Sequence, residues 1–338
     1  MAMVTATALW AARRAERRSA CFWAALAVGA AAAVLAAGLA EDPFAAMRLL
    51  SYGLFGFMPL VSAACAFLHP RSHRRMAAIW LVGFFSLEAI AVDAFLIEPH
   101  WLEVSRVRIA SPKLSKPVRI ALLADLQTDE IGPYERSVIE RIAAEKPDLI
   151  LLAGDYLQVS DDGRRRDLQA ELRKVLNESG FAAPYGVFAV QGNVDNADWP
   201  GCFVGTEVTA VEETRSFEAG ELAITCLSMA NSFASGLTVP ATERFHIVLG
   251  HCPNFALGDV QGDLLLAGHC HGGQVRLPGL GPIITLSRVP RSWAAGVTQL
   301  SGGRTLIVSR GAGMERGSAP RLRFLCRPEL VFIEIVPE

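Results

Sequence analysis

Seven oxygen and nitrogen donors finish apolar runs of this chain. They are Asp125 and Gln127 in "VRIALLADLQ", Asp155 in "PDLILLAGDY", Asn193 in "GVFAVQGNVDN", His251 in "RFHIVLGHCP", and His269 and His271 in "LLLAGHCHGGQ". Glycine stands directly before four of these positions (Gly154, Gly192, Gly250 and Gly268), where a missing Cβ permits a tight turn and close backbone approach. Taken singly, an Asp after a strand caps a helix, and a lone His packs as a structural residue. Gathered at one end of a sheet, carboxylates and imidazoles would repel one another or remain poorly solvated. A pair of divalent cations removes that conflict. Mixed carboxylate, amide and imidazole donors suit manganese, iron or zinc better than calcium or magnesium. Cys252 and Cys270 lie among these donors and read as packing residues rather than thiolate ligands.

The elements that carry the donors follow from hydropathy. Continuous apolar runs, rather than alternating ones, indicate strands buried on both faces. "RTLIVSRG" and "ELVFIEIV" add two more strands. Pro133 opens a helix with Val138, Ile139, Ile142 and Ala143 on one face, and a polar helix is expected at roughly 166–177. The charged run "DDGRRRD" (161–167) reads as a solvated loop. Helices between the early strands make βαβ units, so the fold class is an α/β two-sheet sandwich with its functional residues at the strand ends.

The order D-x-Q, G-D, G-N, G-H, G-H-x-H resembles the calcineurin-like metallophosphoesterase superfamily over roughly residues 102–338. "GHCHGGQVRLP" and the tail "VSRGAG…PRLRFLCRPEL" look like its membrane-anchored bacterial branch. The resemblance implies one ion held by Asp125, Gln127, Asp155 and His271, and a second by Asp155, Asn193, His251 and His269, with Asp155 bridging. It makes Asp155 and Asn193 the catalytic candidates and implies phosphoester hydrolysis by a hydroxide shared between two divalent ions. Two positions depart from the usual pattern. Gln127 replaces a histidine, as it does in the manganese-dependent diphosphatases of the superfamily. A harder amide ligand shifts the expected preference to manganese, with iron, zinc and magnesium as alternatives. Val194 stands where the family's G-N-H block supplies a phosphate-contacting histidine. Losing a general acid costs about 10²–10⁴ in rate, so activated esters and diphosphates are the expected substrates. Asp195 and His246 are candidate substitutes. The alternative function is a membrane-held metal- or phosphate-binding module with little turnover.

Ahead of this domain the chain is apolar. The 338 residues are 51% hydrophobic, with a mean hydropathy of +0.31, more apolar than an ordinary soluble enzyme. Ser19–Ala40 and Leu49–Leu68 carry no charge, while Met76–Ile97 is interrupted by Glu88 and Asp93. The first two reach the length that crosses a hydrocarbon core, and the third is expected to cross as well. "GLFGFMP" reads as a packing and kink site rather than a pore, which argues against a transporter. Arg13, Arg14, Arg17 and Arg18 precede the first run, and Arg71, Arg74 and Arg75 precede the third. Positive charge stays cytoplasmic. The expected organisation is a basic N-terminus (1–18), a membrane region (19–97) and a phosphoesterase domain (102–338) on the extracytoplasmic side of the cell inner membrane. Expected partners are the bilayer and a phosphorylated small-molecule or lipid substrate. A net charge of −2 gives no field that would recruit nucleic acid. The cysteine spacing shows no disulfide framework.

Overall fold

The computed structural model describes residues 18–40, 42–68 and 74–338. The basic N-terminus and residues 69–73 lie outside these. The chain divides into two compact units, Met1–Leu96 with Ser318–Arg321, and Ile97–Gly317 with Leu322–Glu338.

The first unit is helical. It comprises α1 (Arg18–Gly38), α2 (Pro43–Tyr52), a π-helical turn (Gly53–Phe57), α3 (Met58–Leu68) and α4 (Arg74–Val92). Asp42 starts α2 by accepting from the Ala45 amide at 2.8 Å, and Pro43 fits the first helical position, where no amide is needed. The π-turn falls within "GLFGFMP", the segment whose glycines indicate a kink. After α4 the chain passes through a π-turn (Asp93–Ile97) and a short 3-10 turn (Glu98–His100). By length and composition, Pro43–Phe67 and Arg74–His100 are each sufficient to cross a membrane.

The second unit is a two-sheet sandwich. Its strands are β1 (Glu103–Ser111), β2 (Val118–Leu123), β3 (Leu149–Leu152), β4 (Val187–Val190), β5 (Val208–Val211), β6 (Arg215–Ala219), β7 (Leu222–Cys226), β8 (Thr238–Val239) and β9 (Phe245–Leu249). They continue with β10 (Asp259–Val260), β11 (Leu264–Ala267), β12 (Arg276–Leu277), β13 (Gly281–Pro282), β14 (Gly296–Gln299), β15 (Thr305–Val308) and β16 (Glu329–Pro337). One sheet runs β1-β16-β2-β3-β4-β5 and the other β14-β15-β11-β9-β7-β6. Strands β2, β3 and β4 are parallel neighbours, as are β9 and β11. Their C-terminal ends carry all seven donors. Between the sheets pack Ile120, Leu122, Leu151, Ile247, Leu249 and Leu266. Helices α5 (Pro133–Glu145) and α6 (Asp162–Glu178) cover the outer face of the first sheet through Ile139, Ile142, Leu168 and Leu172.

The run 161–167 is not a loop. The Asp161 carboxylate accepts from the Arg164 amide at 2.7 Å and caps α6, and Arg165 joins Asp162 to Asp198. The charges form the solvated face of a helix whose apolar positions begin only at Leu168. Strands β1, β5, β6, β7 and β14 also lie outside the apolar runs read from the sequence. Among them β1 and β6 are only half-buried and alternate polar residues with apolar ones.

Leu122 is wholly buried between the sheets. Leu122→Ala should lower unfolding stability by about 2–5 kcal/mol, read as an earlier urea midpoint. An unchanged midpoint would show that this packing does not hold the sheets together.

Candidate metal centre

The turns that follow β2, β3 and β11 adopt unusual backbone geometry. Asp125, Gln127, Asp155, His269 and His271 all have positive φ, at 48°, 33°, 57°, 68° and 46°. A non-glycine residue in this region costs about 1–3 kcal/mol, and such strain persists where the surrounding structure dictates it. Here the left-handed turns aim side chains from two sheets at one point. Gly192 makes this possible on the β4 side, since a Cβ there would collide with the Asp155 carboxylate. Gly268 does the same beside Asp125.

One carboxylate holds two of these turns together. Asp195 accepts from the amides of Asp155, Tyr156 and Gly192, each at 2.8 Å. It is therefore a buried brace and not a substitute acid facing substrate. His246 is no acid for the site either, because it sits mid-strand in β9 against Thr225 Oγ1 at 2.8 Å.

Asp125, Asp155 and His251 are buried and offer ligand atoms within 4.8 Å of one another. The His251 tautomer follows from its partners. Nδ1 lies 2.7 Å from the Ala153 carbonyl, which can only accept, so Nδ1 carries the proton. In the neutral ring Nε2 is then an acceptor. It faces Asp155 Oδ2 at 3.3 Å and Asn193 Oδ1 at 2.9 Å. His269 places Nε2 3.1 Å from the Leu286 carbonyl, and its amide donates to both Asp125 oxygens at 3.0 and 3.1 Å. His271 points Nε2 toward Asp125 Oδ1 at 4.0 Å. All seven donors expected from the sequence thus occupy this one region, with Asn193 at its exposed rim. Cys252 and Cys270 are buried and stand outside the group of converging ligand atoms. Burial lifts both thiols, Cys252 to about 11.

Whether a cation fits is answered by the polar atoms left over. Among the described residues, Gln127 Oε1, His246 Nδ1 and His271 Nε2 are buried with no hydrogen-bond partner, and the first and last of these lie in this cluster. A buried polar atom left unpaired costs about 1–3 kcal/mol. Two buried carboxylates and an unpaired amide oxygen crowded together suit a cation at the point of convergence.

Several neighbours carry no signal in the apolar runs. Arg323 is wholly buried and donates to the carbonyls of Gly313, Cys326, Arg310 and Gly311. Its Nη2 lies 3.4 Å from His271 Nδ1. Burial first, and then the Arg323 charge, hold His271 well below the usual imidazole range, so the ring stays neutral and able to coordinate. Gln158 and Glu315 lie beside Gln127. The tail motif around "RGAGMERG" marks this region in the sequence but not which side chains turn inward.

A two-sheet α/β sandwich with such a cluster at its strand ends is a metal-binding hydrolase scaffold. The family model described as calcineurin-like phosphoesterase matches residues 118–277. The uncharacterized metallophosphoesterase YkuE of Bacillus subtilis is 32% identical over 254 residues, 69% of this chain and 85% of its own. The phosphodiesterase YaeI of Escherichia coli is 31% identical over 260 residues, 71% of this chain and 90% of its own. A dimetal phosphatase from Danio rerio aligns over 62% of this chain and 91% of its own, at 11% identity and a TM-score of 0.34. The chain belongs to the calcineurin-like phosphoesterase family, and it is a metal-dependent phosphoesterase, a hydrolase, with a buried Asp/His metal site.

Without metal the cluster retains protons. Burial, opposed by His251 and reinforced by Asp155, pushes Asp125 up to about 8. Burial would lower His251, but Asp155 and Asp125 lift it to about 9. Both native-state values exceed the unfolded ones, 3.8 and 6.5. The native form therefore holds extra protons, and its stability falls as pH rises through this range. The melting temperature of metal-free protein should drop from pH 6.5 to 9, while the metal-loaded protein, whose ligands have already lost those protons, should not follow. A parallel pH profile for both forms would contradict this. Asp195→Ala should lower bound metal with the circular dichroism preserved, since three amides then lose the acceptor that fixes Asp155.

Proposed function

We propose that the chain is a membrane-anchored, two-metal phosphohydrolase that cleaves a phosphodiester or diphosphate bond in a lipid-linked substrate. The observation that carries the reading is the convergence of the buried Asp125, Asp155 and His251 with the unpartnered Gln127 Oε1, next to Asn193 at the exposed rim. Asp125, Gln127, Asp155 and His271 would hold one ion, and Asp155, Asn193, His251 and His269 the other. Manganese suits this amide-containing set. When bound, such a pair supplies positive charge for phosphoryl oxygens and a nucleophilic water of lowered pKa.

The protein's own residues define the rest of the reaction. Asn193, exposed at the rim, would reach both ion and substrate. Val194 donates its backbone amide to Asp155 Oδ1 at 2.9 Å, but its side chain has no proton for a leaving group. Esters whose leaving group is already a stable anion suit this site, which extends the phosphodiesterase activity in the name of the Escherichia coli relative to diphosphates as well.

The lipid part of the reading rests on a second feature. The hairpin formed by β12 and β13 and the segment after it expose Leu277, Leu280, Ile283, Ile284 and Leu286. Leu286 is the residue whose carbonyl meets His269, so this apolar strap begins at the metal centre. Arg276 and Arg288 share the strap and match the charge of a phosphate. A contiguous exposed apolar surface of this kind marks a binding region. Membrane anchorage is supported by the two apolar helices long enough to cross, and an extracytoplasmic catalytic domain would follow from the arginine distribution together with a third crossing by the first apolar run.

The test uses the full chain in detergent with added manganese. Bis(p-nitrophenyl) phosphate should be hydrolysed, and Asp155→Ala should abolish turnover. Metal bound without turnover on this ester and on diphosphates would instead identify a binding module. Val194→His should raise rates by about 10²–10⁴ on poor leaving groups only. Leu280→Asp with Ile283→Asp should depress cleavage of a diacyl phosphodiester and spare the soluble ester. Equal effects on both substrates would remove lipid from the reading. A reporter fused at the C-terminus checks the side of the membrane.

A further inference from the structure

We infer that Gln158 is a positioning residue that turns the Gln127 side-chain oxygen, rather than its nitrogen, toward the cations. The inference rests on the ligand role proposed for Gln127. A histidine at that position would present a nitrogen whichever ring nitrogen faced the cation. A carboxamide has two ends of nearly equal size and opposite polarity, and the wrong end would aim two N–H donors at positive charge.

The structure supplies a reference that cannot flip. The Arg316 backbone amide donates to Gln158 Oε1 at 2.6 Å, which fixes which end of Gln158 is oxygen. Gln127 Nε2 donates to that same oxygen at 3.0 Å. Gln158 Nε2 is thereby turned to Glu315 Oε2, at 3.2 Å, a carboxylate that accepts. Each donor in this relay meets an acceptor, and its far end is Gln127 Oε1, buried and without a partner. Reversing Gln127 would set oxygen against oxygen at Gln158.

The frame around the relay is held by backbone. The Gln158 amide donates to the Thr128 carbonyl at 2.9 Å, beside the bridge between Thr128 and Leu157. The Arg316 side chain reaches the Gln127 carbonyl at 3.1 Å. The Glu315 amide donates to Gln274 Oε1 at 3.0 Å, and Gln274 belongs to the same turn as His271. Gln127, the tail loop and the histidine turn are thus tied together around one amide orientation.

The experiment measures manganese binding by equilibrium dialysis on the full chain in detergent, alongside melting of the metal-free protein. Gln158→Leu should weaken binding about 10- to 100-fold, as loss of a ligand's supporting partner does. In a Gln127→His background the same change should cost less than about threefold, because an imidazole has no carboxamide ends for Gln158 to choose between. Equal losses in both backgrounds would overturn the inference and leave Gln158 a general packing residue. Unchanged manganese stoichiometry and affinity in Gln127→Ala would instead remove Gln127 as a ligand, which is the failure of the underlying reading. Should Gln158→Leu not fold, the paired change Gln158→Glu with Glu315→Gln keeps an acceptor toward both Arg316 and Gln127. It should bind manganese within about threefold of the parent, and a loss of ten-fold or more would overturn the relay.

Discussion

Two buried carboxylates crowded against imidazole and carboxamide groups at the ends of the strands are the constraint on which the rest of this structure depends. Asp125 and Asp155 bring carboxylates, His251 donates through Nδ1 to the Ala153 carbonyl and so turns Nε2 toward them, and Gln127 Oε1 and His271 Nε2 have no partner. In a dry interior such a grouping is costly unless positive charge resolves it. The chain offers Arg323 nearby, but that guanidinium is spent on four carbonyls and the far side of His271. The remaining charge is met by protons retained on Asp125 and His251 or by a bound cation that displaces them.

The fold supports this arrangement by making it rigid. Two sheets meet through an aliphatic layer, so their parallel strands end together. Eight of the nine non-glycine residues with positive φ among the described residues lie in the turns around the centre, Lys146 being the exception. Strain of that extent survives because each turn is pinned: Asp195 grips the Asp155 and Gly192 turns, His269 is tied through its amide to Asp125, and Arg323 binds the tail loop beside His271. Site and scaffold are in that sense one system, with the strained turns as the connection between them.

The sequence was legible where one residue type has one job. Long apolar runs marked β2, β3, β4, β9, β11, β15 and β16, and polar residues after them marked the candidate ligands, because burial and strand ends leave few alternatives. The half-buried strands β1 and β6 were not legible, since their side chains alternate and their pairing is decided by distant partners such as β16 and β7. The run 161–167 was misread because arginines and aspartates look alike on a loop and on the wet face of a helix. Asp195 and Gln158 illustrate a further limit. Their roles come from backbone amides donated by residues up to 158 positions away, and no local pattern encodes that.

The central claim is tested most directly by counting metal in full-length protein purified without chelator and confirmed as folded. The account predicts two divalent ions per chain by elemental analysis, both lost together when Asp155, the shared ligand, is changed to alanine. A folded protein that carries no such ion and takes none up on exposure to manganese, iron or zinc would contradict it.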